Sequence, residues 1–187
     1  MRDEEIVARQ IGRRPRGFLR VATRCPLGLP ETIVTRPIVS GVADGRAGLE
    51  PFPTVFWLTC PGAVRAVSEL EAQGHVRKLQ ERLAADPGAA EAHREAARSY
   101  ADLRLSLLGR DDAAHLARDH TGEYEVVAHS GVGGVLGEPG KGGIKCLHAH
   151  YADYLARGVN PVGRWVHELL REKAHSREGS GCGKARG

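Results

Sequence analysis

The spacing of apolar residues changes along this chain, from short strand-like runs in its first third to helical repeats beyond. Thr54-Val55-Phe56-Trp57-Leu58-Thr59 is apolar through its middle and too short for a helix, so it reads as the central buried strand. Before it, Ile6-Val7-Ala8 and Phe18-Leu19-Arg20-Val21-Ala22 flank a basic turn over 12–17 that carries Pro15 and Gly17. Beta-branched and aromatic residues around such punctuation predict a hairpin or two short strands. Residues 32–39 predict another strand, which Pro37 either divides or confines to a sheet edge. The stretch 40–53 is turn-rich.

From Pro61 the period becomes helical. Proline suits a first helical turn, where its missing amide hydrogen has no intrahelical partner to lose. Val64, Val67 and Leu70 follow, Gly74 interrupts, and Val76, Leu79 and Leu83 resume the stripe. Asp86-Pro87 caps and opens an alanine-rich helix to about Leu108, with Gly109 as its stop, and Asp111 or Asp112 caps a shorter one to about His120. Residues 123–129, EYEVVAH, predict a strand by their alternation, and the seven glycines within 131–143 predict a loop. A helix over about 146–157 and a last one from Asn160-Pro161, striped by Val162, Trp165, Val166, Leu169 and Leu170, complete the chain. The tail 175–187 has nothing to pack and is expected to be disordered.

The expected fold is therefore a single α+β domain over 1–174. A small mixed or antiparallel sheet, built from the N-terminal half and the 123–129 strand, packs against about five helices. The competing layout is a largely helical domain with a peripheral hairpin. At 187 residues the chain suffices for one sizeable core. No apolar run is long enough to span a membrane, and Arg2-Asp3-Glu4-Glu5 offers no secretory signal, so a cytoplasmic protein without direct membrane insertion is expected. A net charge of +4 is too mild to announce a nucleic-acid binder.

In that reducing setting the cysteines are expected as thiols or metal ligands. Cys25 and Cys60 each end a predicted strand and precede proline, which places both at one edge of the sheet. The third opens Cys146-Leu147-His148-Ala149-His150. If this segment is helical from Cys146, Cys146 and His150 share a face; if extended, Cys146, His148 and His150 do. Thiolate and imidazole are the preferred ligands of zinc, so a site drawn from Cys25, Cys60, Cys146, His148 and His150 is the sharpest chemical expectation. The close cysteine spacing that marks an iron–sulfur cluster is missing, which ranks that cofactor below zinc. Cys182 lies in the tail and is a poor ligand. The bland reading makes Cys25 and Cys60 small buried hydrophobes. A third makes Cys60, at a helix N-terminus, a nucleophile with His129, His148 or His150 as base.

Anion chemistry has a separate source. Arg13, Arg14, Arg16 and Arg20 crowd the first turn and the strand after it, and guanidinium forks match phosphate oxygens. On the alanine-rich helix His93, Tyr100 and Arg104 line one side, either facing a cleft or packed at the core boundary. The glycine loop is no P-loop: Gly142 stands where Ser or Thr belongs, and Val135 where the leading glycine belongs.

The segments RxPRGxxxVAxRCPxGxP (13–30), PFPTxFWLTCP (51–61), GVGG (131–134) and KCLHAHYAxxLAxGxNPVG (145–163) together resemble an actinobacterial family classed as a domain of unknown function, family 501. The resemblance covers about residues 5–170. It implies genes lying near a septum formation initiator protein and an exopolyphosphatase-like enzyme, but supplies no activity or ligand. Its recurrent segments fall on Cys25, Cys60, Cys146, His148 and His150. The functional expectation is a metal-binding protein that recognises a phosphorylated small molecule or other anion. The alternative is a non-catalytic interaction module with a partner in the division or cell-envelope machinery.

Overall fold

The computed structural model describes residues 2–43, 46–52, 54–132 and 143–175. The fold is α+β, with five strands in two small antiparallel sheets and eight helices among the described residues, where about five were expected. The strands β1 (Phe18–Arg24), β2 (Pro30–Thr35) and β5 (Phe56–Leu58) form one sheet in the order β1-β2-β5. A hairpin of β3 (Ile38–Ala43) and β4 (Arg46–Pro51) forms the other. Pro37 thus divides the 32–39 run. The 54–59 run is buried as expected, yet β5 lies at the margin of its sheet and β2 is the middle strand. Thr32, Ile33, Val34 and Thr35 are buried in succession, the mark of a strand covered on both faces.

Two predicted strands are helices, which accounts for much of the excess. Helix α1 (Asp3–Ile11) contains Ile6-Val7-Ala8. Its first turn holds Asp3, Glu4 and Glu5, the Arg2 amide donates to the Glu5 carboxylate at 3.1 Å, and Gly12 ends it in the left-handed conformation. Carboxylates at the N-terminus and glycine at the C-terminus outweigh three strand-forming residues. Helix α6 (Thr121–His129) replaces the 123–129 strand. Its alternation was misleading, because Val127 and Ala128 are the buried pair while Val126 stays 40% exposed, a helical and not a two-residue period.

The remaining helices follow the expected boundaries: α2 (Pro61–Ala72), α3 (His75–Ala85), α4 (Pro87–Leu108), α5 (Arg110–Asp119), α7 (Leu147–Arg157) and α8 (Pro161–His175). Gly74, in the left-handed region, separates α2 from α3. The Asp86 carboxylate caps α4 by accepting from the Ala89 amide at 2.9 Å. No described helix is long and apolar enough to cross a membrane. The 175–187 tail lies almost wholly outside the described residues, as does most of the glycine loop.

The core joins these parts. Val55, Phe56 and Leu58 pack with Val67 and Leu70 of α2, Leu79 and Leu83 of α3, Tyr100 of α4, Leu147 and Tyr151 of α7, and Val162, Trp165 and Val166 of α8. Inside lies a polar knot. Asp153, fully buried on α7, accepts from the Arg157 guanidinium at 2.6 and 3.0 Å and from the Asn160 amide at 2.9 Å. Arg157 reaches on to the Ala96 carbonyl and Ser99 hydroxyl of α4. Asn160 accepts from the Gly163 amide at 3.0 Å and so starts α8. A Cβ on Gly163 would land on the His150 carbonyl and the Tyr154 Cβ, so α7 and α8 touch backbone to backbone there.

Two substitutions test this packing by chemical denaturation. Gly163→Ala is expected to cost about 1–3 kcal/mol or more, since rigid helix backbone and not a flexible side chain must yield. Asp153→Ala, which leaves the part-buried Arg157 cation without its carboxylate and empties a fully buried polar site, is expected to cost about 3–5 kcal/mol.

Candidate metal centre

The N-terminus of α7 is held by a side chain from another helix. Cys146, its N-cap, has extended backbone, and the following Leu147 amide donates at 2.6 Å to the carboxylate of Glu71 on α2. Because Cys146 is extended while His148 already lies in the first helical turn, neither periodicity considered for the segment applies as a whole. The outcome brings Cys146 and His148 together and sends His150 elsewhere.

His148 Nδ1 lies 3.8 Å from Cys146 Sγ and 3.3 Å from Glu71 Oε1. The three donor atoms fall within 4.8 Å of one another, and all three residues are half-buried. On its other side His148 Nε2 lies 3.1 Å from the Val64 carbonyl and 3.2 Å from the Ser68 hydroxyl. Val64, Ser68 and Glu71 are spaced four and three residues apart on α2, so one face of that helix surrounds the imidazole.

A carbonyl only accepts, so Nε2 carries the hydrogen toward Val64. In the neutral ring Nδ1 is then a lone pair aimed at a carboxylate oxygen and a sulfur. Three electron-rich atoms at this range need a positive charge among them. With a proton in that place, the hydrogen bond between Cys146 and His148 lowers the thiol pKa and raises the imidazole pKa, against opposing burial in each case. A metal ion is the other occupant that chemistry supplies. The cluster can ligate one, through a thiolate, an imidazole and a carboxylate.

The other expected site residues are not among the three donors of this cluster. Cys25 and Cys60 are both buried and pack with each other, with Leu29 and Ala63 beside them. Their backbone amides donate to the Leu29 and Glu31 carbonyls, at 2.9 and 3.3 Å. Cys60 caps α2 as expected, with Pro61 in the first turn. His150 is fully buried. Its Nδ1 lies 3.2 Å from the Asn160 amide nitrogen and its ring centre 5.4 Å from that of His93; burial, with His93 adding to it, lowers its pKa to about 3. His93, Tyr100 and Arg104 line one side of α4, and that side faces the interior. Tyr100 accepts from the Val55 amide at 2.8 Å, and Arg104 donates to the Ser130 hydroxyl at 2.8 Å and to its carbonyl. Of the N-terminal arginines, Arg13 stands over the Trp57 ring, Arg16 pairs with Glu50 at 2.6 Å, and Arg14 and Arg20 are exposed.

Glu71 was not foreseen. Its signal is faint but physical: an acid one turn beyond Val67 continues the stripe that faces inward, where a carboxylate needs a partner.

No curated protein and no solved structure matches the chain. Residues 21–168, which include Glu71, Cys146 and His148, match the family model described as protein of unknown function (DUF501), and the chain belongs to that family.

Proposed function

We propose that the chain is a zinc-binding protein whose metal is held by Glu71, Cys146 and His148. The observation that carries this is the direction of the His148 ring: Val64 fixes the hydrogen on Nε2 and leaves Nδ1 facing sulfur and oxygen. Orientation of a ligand imidazole by a carbonyl behind it is the usual outer-shell arrangement of a metal site. Zinc bonds of about 2.0–2.3 Å in tetrahedral geometry separate ligand atoms by about 3.3–3.6 Å. The nitrogen–oxygen and nitrogen–sulfur separations of 3.3 and 3.8 Å need little adjustment to meet this. One thiolate in the donor set suits zinc and not an iron–sulfur cluster, which needs several.

Three protein donors leave a fourth position for water or a donor atom of a ligand, the arrangement of zinc sites that activate water and not of closed structural ones. A cytoplasmic setting suits a thiolate ligand, which an oxidising compartment would threaten. The anion half of the functional reading remains with the basic turn at Arg13, Arg14, Arg16 and Arg20, where Arg14 and Arg20 are exposed to solvent.

Protein purified without a histidine tag is expected to carry about one zinc per chain by plasma mass spectrometry, as the three-donor site implies. Cys146→Ser combined with His148→Gln should abolish it, and Glu71→Gln should weaken it and leave the metal open to chelators. Zinc retained by the double variant would end the reading. Cys25→Ser and Cys60→Ser should keep the metal; losing it there would instead recruit those thiols to a wider shell.

A second reading has its own observation, Cys146 Sγ at the N-cap of α7 and 3.8 Å from His148 Nδ1, a hydrogen bond that lowers the thiol pKa. It makes Cys146 a thiolate nucleophile. Iodoacetamide separates the two. If zinc covers the sulfur, alkylation of Cys146 should be slow until a chelator strips the metal, whereas a nucleophile without metal reacts at one rate with or without chelator.

A further inference from the structure

A cavity of about 660 Å³ opens between the basic turn, the start of β3 and the helices α4 and α5. This falls within the range of small-molecule sites, about 300–1,000 Å³. Apolar and polar surface share its walls, the apolar part coming from Ile38 and Val39 of β3, Leu107 and Leu108 at the end of α4, and Leu116 of α5. Its polar groups are Arg16, Arg36, Asp112 and His115.

Two of these four groups have an ion-pair partner and a third lies at a helix N-terminus. Arg16 is paired with Glu50 at 2.6 Å, and His115 with Asp119 at 2.8 Å. Asp112 sits in the first turn of α5, where the helix dipole favours a carboxylate. Arg36 is the exception: its guanidinium has no ion-pair or hydrogen-bond partner among the described residues, although its backbone is firmly placed. The Arg36 amide donates to the Gly17 carbonyl at 2.7 Å. Gly17 has a positive φ of 64°, and a Cβ there would come within 2.8 Å of Val39 Cγ1 and 3.3 Å of Arg36 Cβ. Glycine at this position lets the basic turn close onto Arg36 and the start of β3, which brings both guanidinium groups to one rim.

We infer that this cavity binds a small amphipathic anion, a phosphate or carboxylate with an apolar body, its head on Arg36 and its body against the β3, α4 and α5 walls. This deepens the anion half of the function proposed above, moves its main contact from the Arg13–Arg20 series to Arg36, and is independent of the metal. A guanidinium offers two parallel donors to either head group, and the Arg16–Glu50 pair is exposed enough to open and add a second fork. The apolar part of the wall is what an organic body on the anion would cover and a bare inorganic ion would not. Two sources share this chemistry, an acyl carboxylate and an alkyl phosphate, and titration with each identifies the head group.

The test is calorimetric titration of the full chain with octanoate, octyl phosphate, butyl phosphate and octyltrimethylammonium. At least one octyl anion should bind, the octyl phosphate more tightly than the butyl, and the cation not at all. Arg36→Glu should weaken the anion by about tenfold or more, since it removes a charge-assisted contact and adds repulsion. Arg36 is exposed, so this variant should fold, and Arg77→Glu on α3 serves as a charge-matched control with unchanged affinity. Zinc content is measured on the same samples; loss of anion binding with zinc retained separates this site from the metal. Failure of both octyl anions to bind, equal binding by Arg36→Glu, or binding of the cation would overturn the inference.

Discussion

The buried carboxylate of Asp153 is the constraint around which the helical half is arranged. A charge with no access to solvent survives folding only if its lone pairs are met by donors held in place. Asp153 obtains them from Arg157 one turn later on α7 and from Asn160 beyond the helix end. Each donor then has a second task. Arg157 ties α7 to the α4 backbone, and Asn160 starts α8. Satisfying one carboxylate thereby fixes the turn between α7 and α8 and the approach of α4. Gly163 permits the close crossing that follows.

The other end of α7 is fixed by a carboxylate as well, but one supplied from outside. Glu71 accepts the Leu147 amide and so brings α2 against the start of α7. A helix N-terminus attracts negative charge, and a carboxylate capping it is stabilising in itself. Here the same oxygen also lies beside His148. The cap therefore doubles as a donor, and the geometry of the metal cluster is inherited from the docking of two helices instead of from a loop. Sites built on regular elements hold their spacing better than sites on loops.

Much of the fold was legible where a single signal decided it. Pro61, Gly74, Asp86-Pro87 and Gly109 each terminate or begin a helix by local stereochemistry, and the structure has them in those roles. The errors came where a local pattern competed with a less visible one. Ile6-Val7-Ala8 is strand-like in residue type, but the acidic first turn at Asp3, Glu4 and Glu5 outweighs it. EYEVVAH alternated by chance of two glutamates, while its buried pair followed the helix. Of the site, Cys146 and His148 were readable from residue type, and their pairing was not, because it depends on one extended residue before the helix. Glu71 was illegible for a plainer reason: it lies 75 positions away in sequence, and only the packing of α2 on α7 brings it there.

The two candidate sites are opposite in sign yet alike in logic. At the start of α7 the fold gathers a thiol, an imidazole lone pair and a carboxylate, groups that repel one another until a proton or a metal ion stands between them. At the mouth of the cavity it does the reverse, closing Gly17 onto Arg36 so that a guanidinium with no partner among the described residues sits beside another already paired. Apart from the Glu71 cap, which steadies the start of α7, neither gathering helps the fold on its own. Like-charged or electron-rich groups held together lower stability, and nothing in the hydrophobic core requires either arrangement. On the proposed reading each would be completed by a ligand of the opposite charge, a cation at the first and an anion at the second. The sites use different helices, α2 and α7 for the candidate metal cluster, α4 and α5 for the cavity, and α7 meets α4 both through Arg157, which reaches the Ala96 carbonyl and Ser99 hydroxyl, and through the neighbouring rings of His150 and His93. Those contacts are described routes along which any energetic coupling between the two sites would travel.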